Sequence, residues 1–367
     1  MTRIALLLLL VEMSLNERKI VRSFGNYMQE WLYGEKGYYR KALIGPKGDF
    51  YTSVSLSKFF GGAIAFYIIR LLEEEKLFLP LKIVEIGSHH GHFLSDIASF
   101  LNALSVGVME KCEFVSCEPL KELQKLQRTI FKQATQLDLI SCALEELDFK
   151  EKKSAFVVSN ELFDAFACEI VKDNQMLFIT HDHQGVWGNI DEPTKELLKN
   201  LNLKEGCAPL FLEAFIKGLL EKLNEASSWV FLSFDYGDEI ERKDLHLRAF
   251  KNHQALDFKD ILNHLASLYQ QSDLTYDVNF SLVRFLFEKH HAQFSFFKTQ
   301  ANALLDMGLM GLLETFSKSV GYEKYLKEAA KIKPLISPGG LGERFKALEF
   351  VKKIKCKLKA FLQSNNN

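Results

Sequence analysis

The chain lacks net charge, paired cysteines and a long apolar run, and each shortage removes a class of function. Lys and Arg number 46 against 47 Asp and Glu, for a formal net charge of -1. A protein that grips a polyanion needs a clustered basic field to neutralise phosphates, so this balance argues against nucleic acid as a partner. The six cysteines, 112, 117, 142, 168, 207 and 356, form no Cys-x-x-Cys pair. Four of them fall in or beside predicted core strands, the pattern of reduced, buried thiols in a cytoplasmic protein. The N-terminal apolar run from Ile4 to Val11 has eight residues, far too few to span a bilayer, so no stable membrane insertion is expected. Arg3 precedes that run as in a signal peptide, but Glu12 to Asn16 offers no small-residue cleavage site. The expectation is an extension ahead of translation from Met13. Repeats are absent, and the only low-complexity tract is the terminal Asn365-Asn366-Asn367.

What remains is a globular composition, 47% hydrophobic and 25% charged over 367 residues, with room for a large α/β domain plus an insertion, or for two domains. Apolar periodicity over 16–35 predicts an amphipathic helix, and a second, longer one runs from Leu56 to Leu77. Strand patterns follow at 82–87, 112–118, 138–143, 155–160 and 229–236, with helices at 92–104 and 119–133 between the first of them. After the fourth strand the rhythm changes. Glu169 to Asp173 and Gln175 to His181 read as a hairpin turning at Asp173-Asn174, and a leucine-rich helical stretch covers 195–225. Further helices are expected near 257–270, 279–290, 299–318 and 322–331. This divides the chain into an N-terminal helical segment (1–80), a Rossmann-like core (81–180), an inserted, mostly helical substrate region (181–228), a completion of the sheet (229–350) and a basic tail (351–367).

The densest chemical information lies in Lys82-Ile83-Val84-Glu85-Ile86-Gly87-Ser88-His89-His90-Gly91-His92-Phe93, an apolar strand running into a glycine turn that opens a helix. Glycines at 87 and 91 let backbone approach a ligand where a Cβ would collide. Glu85 sits just before the turn, and Glu118 ends the next strand, where a carboxylate can accept both ribose hydroxyls. Dinucleotide sites use G-x-G-x-x-G to cradle pyrophosphate, whereas the spacing here is G-x-x-x-G with His89 where a middle glycine would fall. S-adenosyl-L-methionine has no phosphate and needs no such cradle. The pattern therefore favours a class I methyltransferase over a nicotinamide oxidoreductase.

At the same rim, strand four ends in Ser159-Asn160-Glu161-Leu162-Phe163-Asp164-Ala165, an amide with two carboxylates. Asn160, Glu161 and Asp164 are the catalytic candidates. If a helix starts there, Glu161 and Asp164 share its face and Asn160 caps it. Strand five ends in Asp235-Tyr236-Gly237-Asp238 at the same level. The histidines in the turn, and His181 with His183, lack a third ligand of known position, so no metal is expected.

Together these pieces resemble the MidA family. The matching strings are Gly48-Asp49-Phe50-Tyr51-Thr52-Ser53, the glycine turn, Ser159 to Ala165, Asp235-Tyr236-Gly237, Leu247-Arg248-Ala249-Phe250, Asp273 to Phe280 and Gly342-Glu343-Arg344-Phe345-Lys346, in family order. The resemblance implies a Rossmann-like class I methyltransferase that uses S-adenosyl-L-methionine. In some members it implies methylation of an arginine on the 49 kDa NADH dehydrogenase subunit during complex I assembly. Asp49, Tyr51 and Thr52 then join Glu85, Gly87, Gly91 and Glu118 as cofactor-binding residues, with Phe50 and Tyr51 closing as a lid. One departure stands out: the family turn reads G-P-G-R-G, and here Ser88, His89 and His90 replace Pro, Gly and Arg. A non-catalytic assembly protein on the same fold is the alternative that this departure leaves open.

Overall fold

The computed structural model describes residues 20–41, 53–150, 154–239, 245–251 and 254–352. It opens with strand β1 (Ile20–Ser23) and helix α1 (Phe24–Tyr33), followed by α2 (Phe59–Glu73), β2 (Leu81–Ile86), α3 (His92–Leu104), β3 (Cys112–Cys117), α4 (Lys121–Thr135), β4 (Ile140–Cys142) and β5 (Ser154–Asn160). Next come β6 (Cys168–Lys172), β7 (Gln175–Thr180), β8 (Gly185–Asn189), α5 (Glu192–Leu201), β9 (Gly206–Pro209), α6 (Leu212–Leu223) and β10 (Ser228–Asp238). The last part holds β11 (Leu247–Lys251), β12 (Gln254–Leu256), α7 (Phe258–Leu268), β13 (Asp273–Tyr276), β14 (Val278–Asn279), α8 (Phe280–Lys289), β15 (Gln293–Thr299), α9 (Gln300–Asp306), α10 (Leu309–Ser319), α11 (Tyr322–Ile336) and β16 (Phe345–Val351).

The central sheet runs β4-β3-β2-β5-β10-β16-β15, with β14 beside the end of β10. β2, β3, β4, β5 and β10 are parallel, whereas β16 is antiparallel to both neighbours. Strands buried on both faces require near-continuous apolar sequence, and β5 and β10 have it. Along β5, Phe156 and Val158 face one core, under α2, α3 and α9 to α11, while Ala155 and Val157 face a second, under α5, α6 and α8. A third core joins α1 to a smaller sheet, β1-β7-β6-β9, and to the ribbon β12-β11-β13. From β2 the chain winds outward to β3 and β4, then returns to β5 on the other side. A crevice therefore opens beyond the carboxyl ends of β2 and β5, where open α/β sheets bind ligands.

Several expected elements differ. The helix expected over 16–35 starts only at Phe24, because Ile20–Ser23 pairs with β7 and the Ser23 hydroxyl caps α1 by accepting from Asn26 N. The long second helix is shorter, ending at Glu73. The stretch 195–225 is two helices separated by β9, whose pairing with β6 overrides helical propensity. The helix expected over 299–318 breaks at Gly308, at φ +94. The hairpin turn at Asp173 and Asn174 agrees, both residues having positive φ. β15 and β16 were not expected as strands. They are antiparallel and lack the strand-helix alternation that marks the parallel ones.

Candidate active site

The glycine turn is held by a web of buried polar contacts. Gly87 and Gly91 have φ +71 and +80, and between them His89 is also left-handed at φ +48. The Ser88 hydroxyl donates to Glu85 O, and the Ser116 hydroxyl of β3 lies 2.8 Å from Ser88 Oγ and 2.7 Å from Gln127 Oε1 of α4. Gln127 Nε2 donates to His89 O at 2.8 Å. Thus the Ser88 side chain is built into the packing through β3, and the His89 backbone carbonyl is held by α4. Gly91 does not face the crevice. A Cβ there would lie 3.3 Å from Gln127 Cα, so this glycine lets α3 approach α4, which differs from the ligand clearance expected of it.

Glu85 is buried, and its Oε2 accepts from Leu94 N at 3.1 Å, tying the strand to the first turn of α3. Burial pushes its carboxyl up to about 8, against the opposing pull of the Leu94 and Ser88 hydrogen bonds. The folded state therefore keeps a proton that the unfolded chain releases near pH 4.5. The resulting stability is fully present below that pH and is lost as pH rises through about 8. Glu85→Gln stays neutral, so urea unfolding should show the variant gaining on wild type between pH 5 and 8.5, by on the order of 3 kcal/mol. A gap that does not widen with pH would mean that Glu85 is ionised in the fold.

Glu118 follows β3 directly on the crevice wall, its N–H donating to Cys142 O and its Oε1 accepting from Leu120 N at 2.9 Å. Across the switch point, no helix follows Asn160. Glu161 takes φ +54, and a single 3-10 turn, Phe163–Ala165, comes next. The capping expected of Asn160 falls instead to Asp235 of β10, fully buried, whose Oδ2 accepts from Leu162 N and Phe163 N. Glu161 and Asp164 consequently do not share a helix face, though both line the crevice. Asn160 Nδ2 donates to Glu161 Oε1 at 2.9 Å. The Tyr236 hydroxyl donates to Asp164 Oδ2 at 2.5 Å. Burial raises Asp164 to about 6, with the Tyr236 hydrogen bond opposing.

Two buried acceptors, Asn160 Oδ1 and Asp164 Oδ1, have no partner in hydrogen-bond geometry among the described residues, although the Thr275 hydroxyl, likewise unpartnered, stands near enough to Asp164 to pull its carboxyl down. Tyr33 and Tyr39 from the N-terminal part also line this end. The Tyr33 hydroxyl donates to Ala165 O and that of Tyr39 to Asp273 Oδ1. Arg248, paired with Asp277, and Arg344 lie over the Tyr236 ring, their guanidinium carbons 5.2 and 5.6 Å from its centroid. Sequence reading missed Tyr236, Tyr33, Tyr39 and Gln127 as site residues. Only the Asp235-Tyr236-Gly237 string hinted at the first, and a lone glutamine on a polar helix carries no such hint.

These residues wall a crevice of about 2130 Å³. A pocket for one small ligand is typically 300 to 1,000 Å³, so there is room for a cofactor together with part of a substrate. Asp49, Phe50, Tyr51 and Thr52 lie outside the described residues. Among the described residues no group of three His, Cys, Asp or Glu could hold a metal, and no helix is long and apolar enough to cross a membrane. The wall fits S-adenosyl-L-methionine: Gly87 presents bare backbone at the turn, and the Glu118 carboxylate stands one strand away.

Residues 63–297 match the family model described as "Putative S-adenosyl-L-methionine-dependent methyltransferase". The chain is 25% identical over 363 residues to protein arginine methyltransferase NDUFAF7, mitochondrial, of Xenopus tropicalis, covering 89% of this chain and 81% of that protein. It is 25% identical over 294 residues to the mitochondrial NDUFAF7 homolog of Drosophila melanogaster, covering 71% of this chain and 65% of that protein. A crystal structure from Burkholderia thailandensis, bound to S-adenosyl-homocysteine, superposes with a TM-score of 0.73 at 21% identity over 94% of this chain and 91% of that one, a likeness of fold. With its seven-strand order, its glycine turn at the switch point and a family match across more than half its length, the chain belongs to the MidA-like family of S-adenosyl-L-methionine-dependent methyltransferases.

Proposed function

We propose that the protein methylates an arginine side chain of a protein substrate. The observation that carries this reading is the pair of buried, unpartnered acceptors, Asn160 Oδ1 and Asp164 Oδ1, at one end of the crevice. Both need hydrogen-bond donors. A guanidinium has five and accepts nothing. Tyr236 occupies Asp164 Oδ2, so the substrate would take Oδ1 beside the Thr275 hydroxyl, while Glu161 adds a second carboxylate at the crevice wall. Carboxylates that hold the outer nitrogens localise charge away from the attacking one, and fixed geometry does much of the rest. When bound, S-adenosyl-L-methionine supplies a methyl group on a sulfonium leaving group. The alkylated nitrogen must then lose a proton, and Asp164, raised to about 6, is a better acceptor for it than an ordinary aspartate. The Xenopus and Drosophila relatives, both named protein arginine methyltransferases, support arginine as the target.

The substrate we propose is the 49 kDa-type NADH dehydrogenase subunit, on the family resemblance. The volume of the crevice suits a protein segment, and the near-neutral charge argues against nucleic acid. Five described cysteines are free thiols, consistent with work in a reducing compartment such as the cytoplasm. Deleting the gene and weighing tryptic peptides of that subunit should reveal loss of an arginine methyl mass. Identical peptides in both strains would remove this substrate, and a purified protein with no turnover on any arginine protein would favour a non-catalytic assembly role.

A further inference from the structure

The glycine turn contains a polar atom that neither the fold nor the proposed chemistry uses. His89 lines the crevice, yet its Nε2 is buried without a hydrogen-bond partner among the described residues. Its backbone is left-handed at φ +48, its carbonyl is held by Gln127, and its imidazole stacks on that of His90 at 4.2 Å and 20°. An unpaired buried nitrogen is unfavourable, and a ligand that supplies the missing partner relieves it. Burial, reinforced by His90 and His92, pushes the His89 pKa down to about 3, so the ring stays neutral at physiological pH and can present Nε2–H as a donor.

We propose that His89 Nε2 donates a hydrogen bond to the carboxylate of the cofactor's amino-acid end. The inference rests on the cofactor site derived above. Position selects the carboxylate. His89 precedes the N-terminus of α3, a 13-residue helix whose dipole favours negative charge, whereas Glu118 lies one strand away and suits the ribose diol. A neutral donor at the mouth of that helix holds an anion without adding a charge that would have to be desolvated.

His89→Gly tests this without endangering the fold, because glycine is the residue best suited to φ +48. Calorimetric titration should show S-adenosylhomocysteine binding weakened roughly tenfold, the usual range for one lost hydrogen bond to a charged group. 5′-Methylthioadenosine, which lacks the amino-acid end, should bind wild type and variant alike. Nitrogen NMR of labelled histidine supplies an independent reading: the His89 Nε2 resonance should move when S-adenosylhomocysteine is added and stay in place with 5′-methylthioadenosine. Equal or tighter binding of S-adenosylhomocysteine by His89→Gly would overturn the proposal, as would equal weakening of both ligands. Wild-type protein that binds neither ligand would overturn the cofactor site itself, an outcome distinct from a variant that merely matches wild type.

Discussion

Asp164→Asn should reduce methyl transfer to an arginine-bearing protein by a factor on the order of a hundred while leaving S-adenosylhomocysteine affinity nearly unchanged. The substitution preserves shape. It removes the charge that Tyr236 supports and replaces an acceptor-only carboxylate with an amide, one of whose two heavy atoms is a donor. In wild type, turnover should fall as pH drops through about 6, where Asp164 takes up a proton and ceases to be an acceptor at both oxygens. That limb should vanish from the residual activity of the variant, a change that loss of packing alone would not produce. A variant that keeps turnover but loses cofactor affinity would move Asp164 out of the substrate end and into the cofactor site.

Gly237→Ala should destabilise the fold by about 3 kcal/mol or more, seen as a lower urea midpoint with an unchanged slope. At φ +153 the residue adopts a backbone that a side chain rarely takes, and a Cβ there would lie 2.1 Å from Val278 O and 2.7 Å from Val278 N. Both obstructing atoms are backbone, in the parallel pairing of Gly237 with Val278 that joins β14 to the end of β10. Relief requires the two strands to separate. The same displacement would carry Tyr236 away from Asp164, so the surviving folded fraction should also lose activity. A midpoint within experimental error of wild type would show that the strand end yields more easily than its close packing indicates.

The parallel strands, the glycine turn and the carboxylates at the strand ends are legible in the chain itself. Local chemistry decides them: apolar runs of strand length with turn residues behind them can hardly be read otherwise, and the hairpin at Asp173-Asn174 is dictated by residues that tolerate positive φ. Ile20–Ser23, 206–209 and 345–351 could not be read in this way, because each becomes a strand only by pairing with residues far along the chain. The site divides along the same line. Residue type and spacing bring Glu85, Glu118, Asn160, Glu161 and Asp164 to one rim, since they lie at or just beyond the ends of parallel strands. Their separate tasks arise from contacts across the fold. Asp235 takes over the capping expected of Asn160, Tyr236 occupies one oxygen of Asp164, and Gln127 holds the His89 carbonyl while Gly91 packs against its backbone. Sequence alone thus determined which carboxylates and which amide reach the crevice from the strand ends. Tertiary structure decided which of their atoms are already satisfied and which are left for a ligand, because hydrogen bonds between residues 38, 72 and 73 positions apart depend on packing and on no local pattern.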